Sequence, residues 1–151
     1  MNNGILIGLS SITIAQLLKI PIKKQQTGKW IWSEAIATGG MPSSHSAGVA
    51  SLATYTALKK GVSSIEFALA TIFGSIVMYD AQGIRRQTGE ITIKVNTLDE
   101  EIERLAGEPD HGVHDLTEQR LKEMLGHQPA EVLAGALLGI GIGALGYFLE
   151  D

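Results

Sequence analysis

From Pro129 to Leu149 the chain reads PAEVLAGALLGIGIGALGYFL, with Glu131 its one charged side chain. A helix crossing the hydrocarbon of a bilayer needs roughly 20 predominantly apolar residues, and this stretch meets that length. A spanning helix must satisfy its backbone polar groups internally. The rest of the chain is therefore expected to supply helical partners and polar connections at the two membrane faces. Three further apolar segments fit that role: Gly4 to Leu18, about Pro42 to Leu58, and about Ser64 to Tyr79. Each is short, and taken singly each also suits a buried helix of a soluble protein. Composition favours the bilayer. Glycine accounts for 18 of the 151 residues while aromatic residues make up 5%. That is poor material for a bulky soluble core, and suitable material for helices that pack in lipid by close backbone approach.

The expected fold is all-α: a polytopic helical membrane protein with about four spanning helices plus short interfacial helices. Residues 1–151 are read as a single membrane domain with a polar, cytoplasmic-side segment at 81–128. Pro42 and Pro129 each stand where a first helical turn begins, a favoured place for proline. Ser63 and Glu66 have capping-box spacing at the start of the third helix. Gly4/Gly8, Gly135/Gly139 and Gly139/Gly143 have the GxxxG spacing of tight helix contacts, a weak motif in so glycine-rich a chain. The N-terminus lacks the basic region and small-residue cleavage site of a signal peptide.

The cations give an orientation. Lys19, Lys23, Lys24 and Lys29 follow the first apolar segment, and Lys59 and Lys60 lie between the second and third. Arg85, Arg86, Lys94, Arg104, Arg120 and Lys122 lie between the third and fourth. Four alternating spans put the first and third groups on one side, which the positive-inside rule makes cytoplasmic. Within the polar segment, Thr97 and Glu100 predict a helix start ahead of Leu98, Ile102 and Leu105. Asp115 and Glu118 open a second amphipathic stretch with Leu121, Met124 and Leu125, stopped at Gly126. A net charge of -4 argues against a nucleic-acid partner, and the absence of Cys excludes disulfide and thiolate chemistry.

Two constellations carry chemistry. In Gly39-Gly40-Met41-Pro42-Ser43-Ser44-His45-Ser46-Ala47, the glycines allow backbone to approach a ligand. The helix start offers outward-pointing amides suited to phosphate, Ser43 and Ser44 add hydroxyls, and His45 can donate a proton near neutral pH. In Gly126-His127-Gln128-Pro129-Ala130-Glu131, a histidine again sits at a helix mouth. Glu131 lies one turn on, where it can fix the imidazole tautomer and leave the other nitrogen free to attack. Read singly, each is also a capped helix start with an incidental histidine. The alternation of spans joins them, because the second and fourth helices then begin on the same face. Arg85 and Arg86, at the end of the third helix on that face, suit bidentate phosphate recognition or act as membrane anchors. His111-Gly112-Val113-His114 has metal-like i,i+3 spacing, but no further ligand pattern supports it and a polar turn is the better reading. No metal and no cofactor are expected.

The two constellations, together with Asp80-Ala81-Gln82-Gly83-Ile84-Arg85-Arg86-Gln87 and the continuation Val132-Leu133-Ala134-Gly135, resemble the divergent branch of the type 2 phosphatidic acid phosphatase family, also described as acid phosphatase/vanadium-dependent haloperoxidase-related. The similarity covers nearly the whole chain. The resemblance implies a phosphatidic acid phosphatase/haloperoxidase-like helical core and metal-independent hydrolysis through a phosphohistidine. By that match His127 is the nucleophile, His45 the general acid, and Glu131 stands where the family has an orienting Asp. Ser43, Ser44, Gly40 and backbone amides would hold the phosphoryl group, with Arg85 and Arg86 as candidate cations. The chain departs from the wider pattern in four places. Ser44 replaces a Gly, Glu131 replaces an Asp, Leu121 stands where the third motif has Arg, and no Lys…Arg-Pro first motif is present.

The expected function is a membrane phosphatase acting on a lipid phosphate monoester or diphosphate, with membrane lipids around it and its site on the cytoplasmic face of the cell membrane. A homo-oligomer is open, since short glycine-rich helices can be buried by a second copy. The alternative is a non-catalytic membrane protein that binds anionic headgroups or a protein partner through the same polar face. A transporter subunit is a third reading, disfavoured because the polar residues cluster at one face rather than at mid-membrane.

Overall fold

The computed structural model describes residues 2–37, 39–106 and 127–150, without the side chains of residues 84–86, 100, 103, 105 and 106. The described chain is helical: α1 (Asn3–Thr27), a 3-10 turn (Trp32–Ile36), α2 (Ser44–Lys60), α3 (Ile65–Gln82), α4 (Ile84–Ala106) and α5 (Pro129–Phe148). Among the described residues, three stretches are long and apolar enough to cross a membrane: Asn3–Thr27, Ile65–Asp99 across α3 and α4, and Pro129–Phe148. The fourth expected span, α2, is shorter, at 17 residues. It occupies the centre of the bundle, packed against α1, α3 and α5, and runs beside α5 from one end of the bundle to the other. Its small and hydroxylated residues face neighbouring helices, which is why its hydropathy is modest.

The α2–α5 pairing organises everything else. Gly135, Gly139 and Gly143 lie against the backbone of Ser43, Ala47 and Ser51 respectively, and a Cβ at any of them would fall closer than 3.0 Å to a carbonyl oxygen of α2. Both series advance by four residues, so the helices run parallel and start at the same end. The GxxxG run on α5 is thus spent on a contact within the chain. Small residues allow the close backbone approach on which association in lipid depends. On the other side of α2, α1 runs antiparallel. Gly8 approaches the Gly48 carbonyl, Ile12 covers the Cα of Gly48, and Ser11 Oγ donates to Ala47 O at 2.9 Å. Gly74 of α3 meets Val49.

Several helix ends differ from the expectations. α1 does not stop at Leu18 but continues through Pro21 to Thr27, where Gly28 at φ 74 caps it and donates to Lys24 O at 2.7 Å. Hydropathy ends at Leu18 while helix propensity does not, since lysine and glutamine are good helix formers. α2 begins at Ser44 with Ser43 as N-cap, so Pro42 precedes the helix rather than opening it. The cap of α3 is Ser64, not Ser63; its side chain accepts from Phe67 N at 3.2 Å. Thr97 caps nothing. It lies inside α4, with its hydroxyl bonded back to Ile93 O at 2.9 Å, a local option open to any mid-helix Thr. α4 starts at Ile84, one residue past α3, so Arg85 and Arg86 open a helix rather than close one. The stretch from Asp115 to Gly126, with Arg120, and the His111–His114 pair lie outside the described residues.

At the far end of the bundle the termini of α1, α2 and α5 meet. Glu150 accepts from Asn3 Nδ2 at 2.6 Å and from Tyr55 OH at 2.5 Å, and forms an ion pair with Lys59. Lys59 Nζ also donates to Tyr55 OH at 2.9 Å. The Lys59 ammonium, and then the Tyr55 hydroxyl, hold the Glu150 carboxyl down to about 2. These groups line one side of an open cavity of about 420 Å³.

Candidate active site

The opposite end of the bundle gathers the residues singled out in the sequence. Because α2 and α5 start together, their N-caps face each other. Ser43 N donates to Glu131 O at 2.9 Å, which ties the first turn of α5 to the cap of α2. His127 immediately precedes the α5 N-cap, Gln128, and its own N–H donates to Ala81 O at 3.0 Å, so the last turn of α3 fixes it from a third side. His45 stands in the first turn of α2. The two imidazole centroids are 5.7 Å apart with the rings inclined at 69°.

His127 is 1% exposed. Its Nδ1 lies 2.9 Å from Glu131 Oε2, and the same carboxylate oxygen accepts from Gln128 N at 3.1 Å. The i,i+4 spacing read from the sequence is therefore a real contact. The carboxylate accepts, so Nδ1 carries the proton and Nε2 presents its lone pair. Nε2 is buried and has no hydrogen-bond partner among the described residues. Leaving a buried polar atom unsatisfied costs about 1–3 kcal/mol, so an orphan at a helix mouth points to chemistry rather than to packing.

Ser43 is fully buried; its Oγ accepts from Ser46 N at 3.3 Å and Ser46 Oγ at 3.1 Å. Its acceptor capacity and its amide are thus spent on building the site, which leaves its own hydroxyl proton to offer. Ser44 is 5% exposed and opens α2, with its amide free of acceptors among the described residues. Gly40 has φ 89, a left-handed conformation that favours glycine, and a Cβ there would sit 3.8 Å from Lys19 Cδ and 3.9 Å from Glu34 Oε2. The backbone places Arg85 and Arg86 in the first turn of α4, close in sequence to Ala81; their side chains lie outside the described ones. No group of three His, Asp or Glu side chains among the described residues is placed to hold a metal ion.

Sequence reasoning missed Lys19. It was counted among the anchoring cations, yet it is 2% exposed, and its Nζ donates to Ala37 O at 3.0 Å, inside the loop that leads to Gly40. A signal was present: Gly4, Ser11, Ala15 and Lys19 fall on the buried face of α1, so this lysine continues a packed stripe of small residues. Farther out, Trp30 and Trp32 stack at 5.9 Å, Lys24 Nζ lies 4.0 Å over the Trp30 ring, and both tryptophans are exposed. Aromatic and basic side chains of this kind sit at the level of lipid headgroups.

The model of the divergent PAP2 family matches residues 1–142, a range that includes His45, His127 and Glu131. The chain is 42% identical over 142 residues to the uncharacterized membrane protein YuiD of Bacillus subtilis (strain 168), covering 92% of this chain and 90% of that one. No solved structure matches. With three helices able to cross a bilayer and a membrane protein as its relative, this chain is an integral membrane protein and belongs to the divergent PAP2 family.

Proposed function

We propose that the protein is a lipid phosphatase that transfers a phosphoryl group to His127 and then to water. The observation that carries this reading is the buried His127, with Nδ1 bound to Glu131, Nε2 without a partner among the described residues, and the ring of His45 beside it at the mouths of two parallel helices. Nε2 attacks phosphorus, the P–O bond to the alcohol or phosphate leaving group breaks, and His45 gives that oxygen its proton. Glu131 stabilises the imidazolium as its positive charge develops. Water then gives a proton back to His45 and attacks phosphorus as the P–N bond breaks, which releases inorganic phosphate and restores both imidazoles. The two helix N-termini, the Ser44 amide and the Ser43 hydroxyl stabilise charge on the equatorial oxygens.

The substrate class follows from position. The site lies at the end of the bundle that carries the exposed Trp30 and Trp32, side chains that suit headgroup depth, and a site at that depth would let acyl or prenyl chains stay in the bilayer while a phosphate monoester or diphosphate enters. The cation count supports a cytoplasmic location: Lys19, Lys23, Lys24 and Lys29 lie on the α1 side of this end and Arg85 and Arg86 in the first turn of α4, against Lys59 and Lys60 at the other.

The test is phosphate release by the detergent-solubilised protein from a panel of phosphatidic acid, phosphatidylglycerophosphate and polyprenyl diphosphate, beside His45→Ala and His127→Ala. The reading predicts release from at least one of them. His127→Ala should abolish it and His45→Ala should reduce it by about 10²- to 10⁴-fold, the usual contribution of a positioned acid. No release by folded protein from any of the panel would favour a headgroup- or partner-binding role instead.

A further inference from the structure

A bound phosphoryl group needs a cation beside the two helix N-termini to take its charge. Lys19 has the attributes of that cation. It is 2% exposed, on the face of α1 that packs into the bundle. The Ser11–Ala47 hydrogen bond and the antiparallel course of α1 bring its level alongside the turn before α2, and its Cδ borders Gly40. Its ammonium has three protons to donate. One goes to the neutral carbonyl of Ala37, and no carboxylate lies within ion-pair distance of it among the described residues. The charged neighbours that act on it are Glu131, which is engaged with His127, and Glu34, which has Lys23 at 3.7 Å. A buried ammonium with unspent donors and no direct counter-ion is costly unless an anion completes it. A second orphan lies on the same helix: Gln16 Oε1, one turn before Lys19, is buried without a partner among the described residues.

We infer that Lys19 binds the anion in this site, with its ammonium contacting a non-bridging phosphoryl oxygen in the place between Gly40 and the first turn of α2. This rests on the phosphatase reading for its consequence in catalysis but not for anion binding itself. Lys19 thereby adds its charge to the site in which Glu131 holds His127. The ammonium takes the phosphoryl charge that would otherwise fall on the two helix N-termini alone. The loop of residues 28–37 gains a function as well, because the Ala37 carbonyl aims the lysine.

The experiment is orthovanadate binding by the full-length detergent-solubilised protein, measured by calorimetry, with phosphate release measured in parallel on the panel above. The variants are Lys19→Met, Lys19→Arg, and Lys19→Gln, which keeps a donor for the Ala37 carbonyl without the charge and serves where methionine does not fold. Charge-assisted hydrogen bonds are the strong ones. The neutral variants should therefore weaken vanadate by about 10- to 100-fold and raise KM more than they lower kcat, while arginine restores part of the loss. Vanadate affinity in folded Lys19→Gln or Lys19→Met equal to wild type overturns the inference and leaves the phosphatase reading standing. Vanadate binding that needs Lys19 without phosphate release from any lipid keeps the anion site and overturns the phosphatase reading. A wild-type protein that neither binds vanadate nor releases phosphate overturns both.

Discussion

The two ends of the bundle are built from similar material and spend it differently. At the Glu150 end a carboxylate, a lysine, a tyrosine hydroxyl and an asparagine amide satisfy one another. At the His127 end a carboxylate, a lysine and two histidines are also within reach, yet His127 Nε2 has no partner among the described residues and the Lys19 ammonium uses one donor of three. Asn3, Lys59 and Glu150 are half-exposed or exposed, with Tyr55 buried beside them, and pairing at such a rim costs little. His127 and Lys19 are buried, where leaving polar atoms unpaired is expensive. The first arrangement clamps three helix ends. The second holds binding capacity in reserve, which is what a site must do.

The predictions press on that contrast. His127→Asn should lower turnover by about 10⁴-fold or more, as loss of a nucleophile does, while thermal unfolding stays close to wild type. A turnover loss that tracks unfolding would erase the distinction between the two ends. Gly139→Leu attacks what both ends share. A side chain there must displace the Ala47 backbone, so stability should fall by about 3 kcal/mol or more, the upper end of overpacking costs, and activity should disappear with the folded fraction in a denaturation series. Glu131→Gln leaves a group able to meet Gln128 N but removes the charge that supports the His127 imidazolium; kcat should drop by about 10²- to 10³-fold with little change in KM.

Glu150→Gln is the smallest effect and the sharpest control. The Glu150 carboxyl is held down to about 2 from its ordinary 4.5 by Lys59 and Tyr55. A depressed carboxyl contributes stability that is fully present above its unfolded value and is lost as pH falls through the folded one. Wild type should therefore melt above Glu150→Gln at pH 6, and the gap should close between about pH 4.5 and pH 2. Turnover at pH 7 should be unchanged. A kcat defect in this variant would tie the clamp to the site.

Most of the site was legible because the features that make it are local. Pro129 opens α5 as the sequence predicts, Pro42 marks the start of α2 two residues early, and the His127–Glu131 contact follows from one helical turn. The alternation of apolar segments brought the two starts to one face. What the sequence could not convey was partnership across the bundle. Gly135, Gly139 and Gly143 signal close approach but not to which helix, and only the packing names Ser43, Ala47 and Ser51. Lys19 was hidden for the same reason: hydropathy counts it as a flanking cation, whereas the continuation of α1 past Leu18 turns it inward. Thr97 and Ser63 matched capping spacing, but each lost to an alternative that spacing does not weigh, a hydroxyl bonding back along the helix in one case and an adjacent serine in the other.

The central claim is that His127 takes the phosphoryl group. It is tested most directly by mixing the detergent-solubilised protein with a lipid phosphate labelled in its phosphoryl group, quenching in alkali during the first turnover, and locating the label by peptide mass spectrometry. The account predicts label on the His127 imidazole in the wild type and in Glu150→Gln, and none in His127→Asn. Phosphate released from that lipid with His127 unlabelled through the first turnover, or with label carried by another residue, would contradict it.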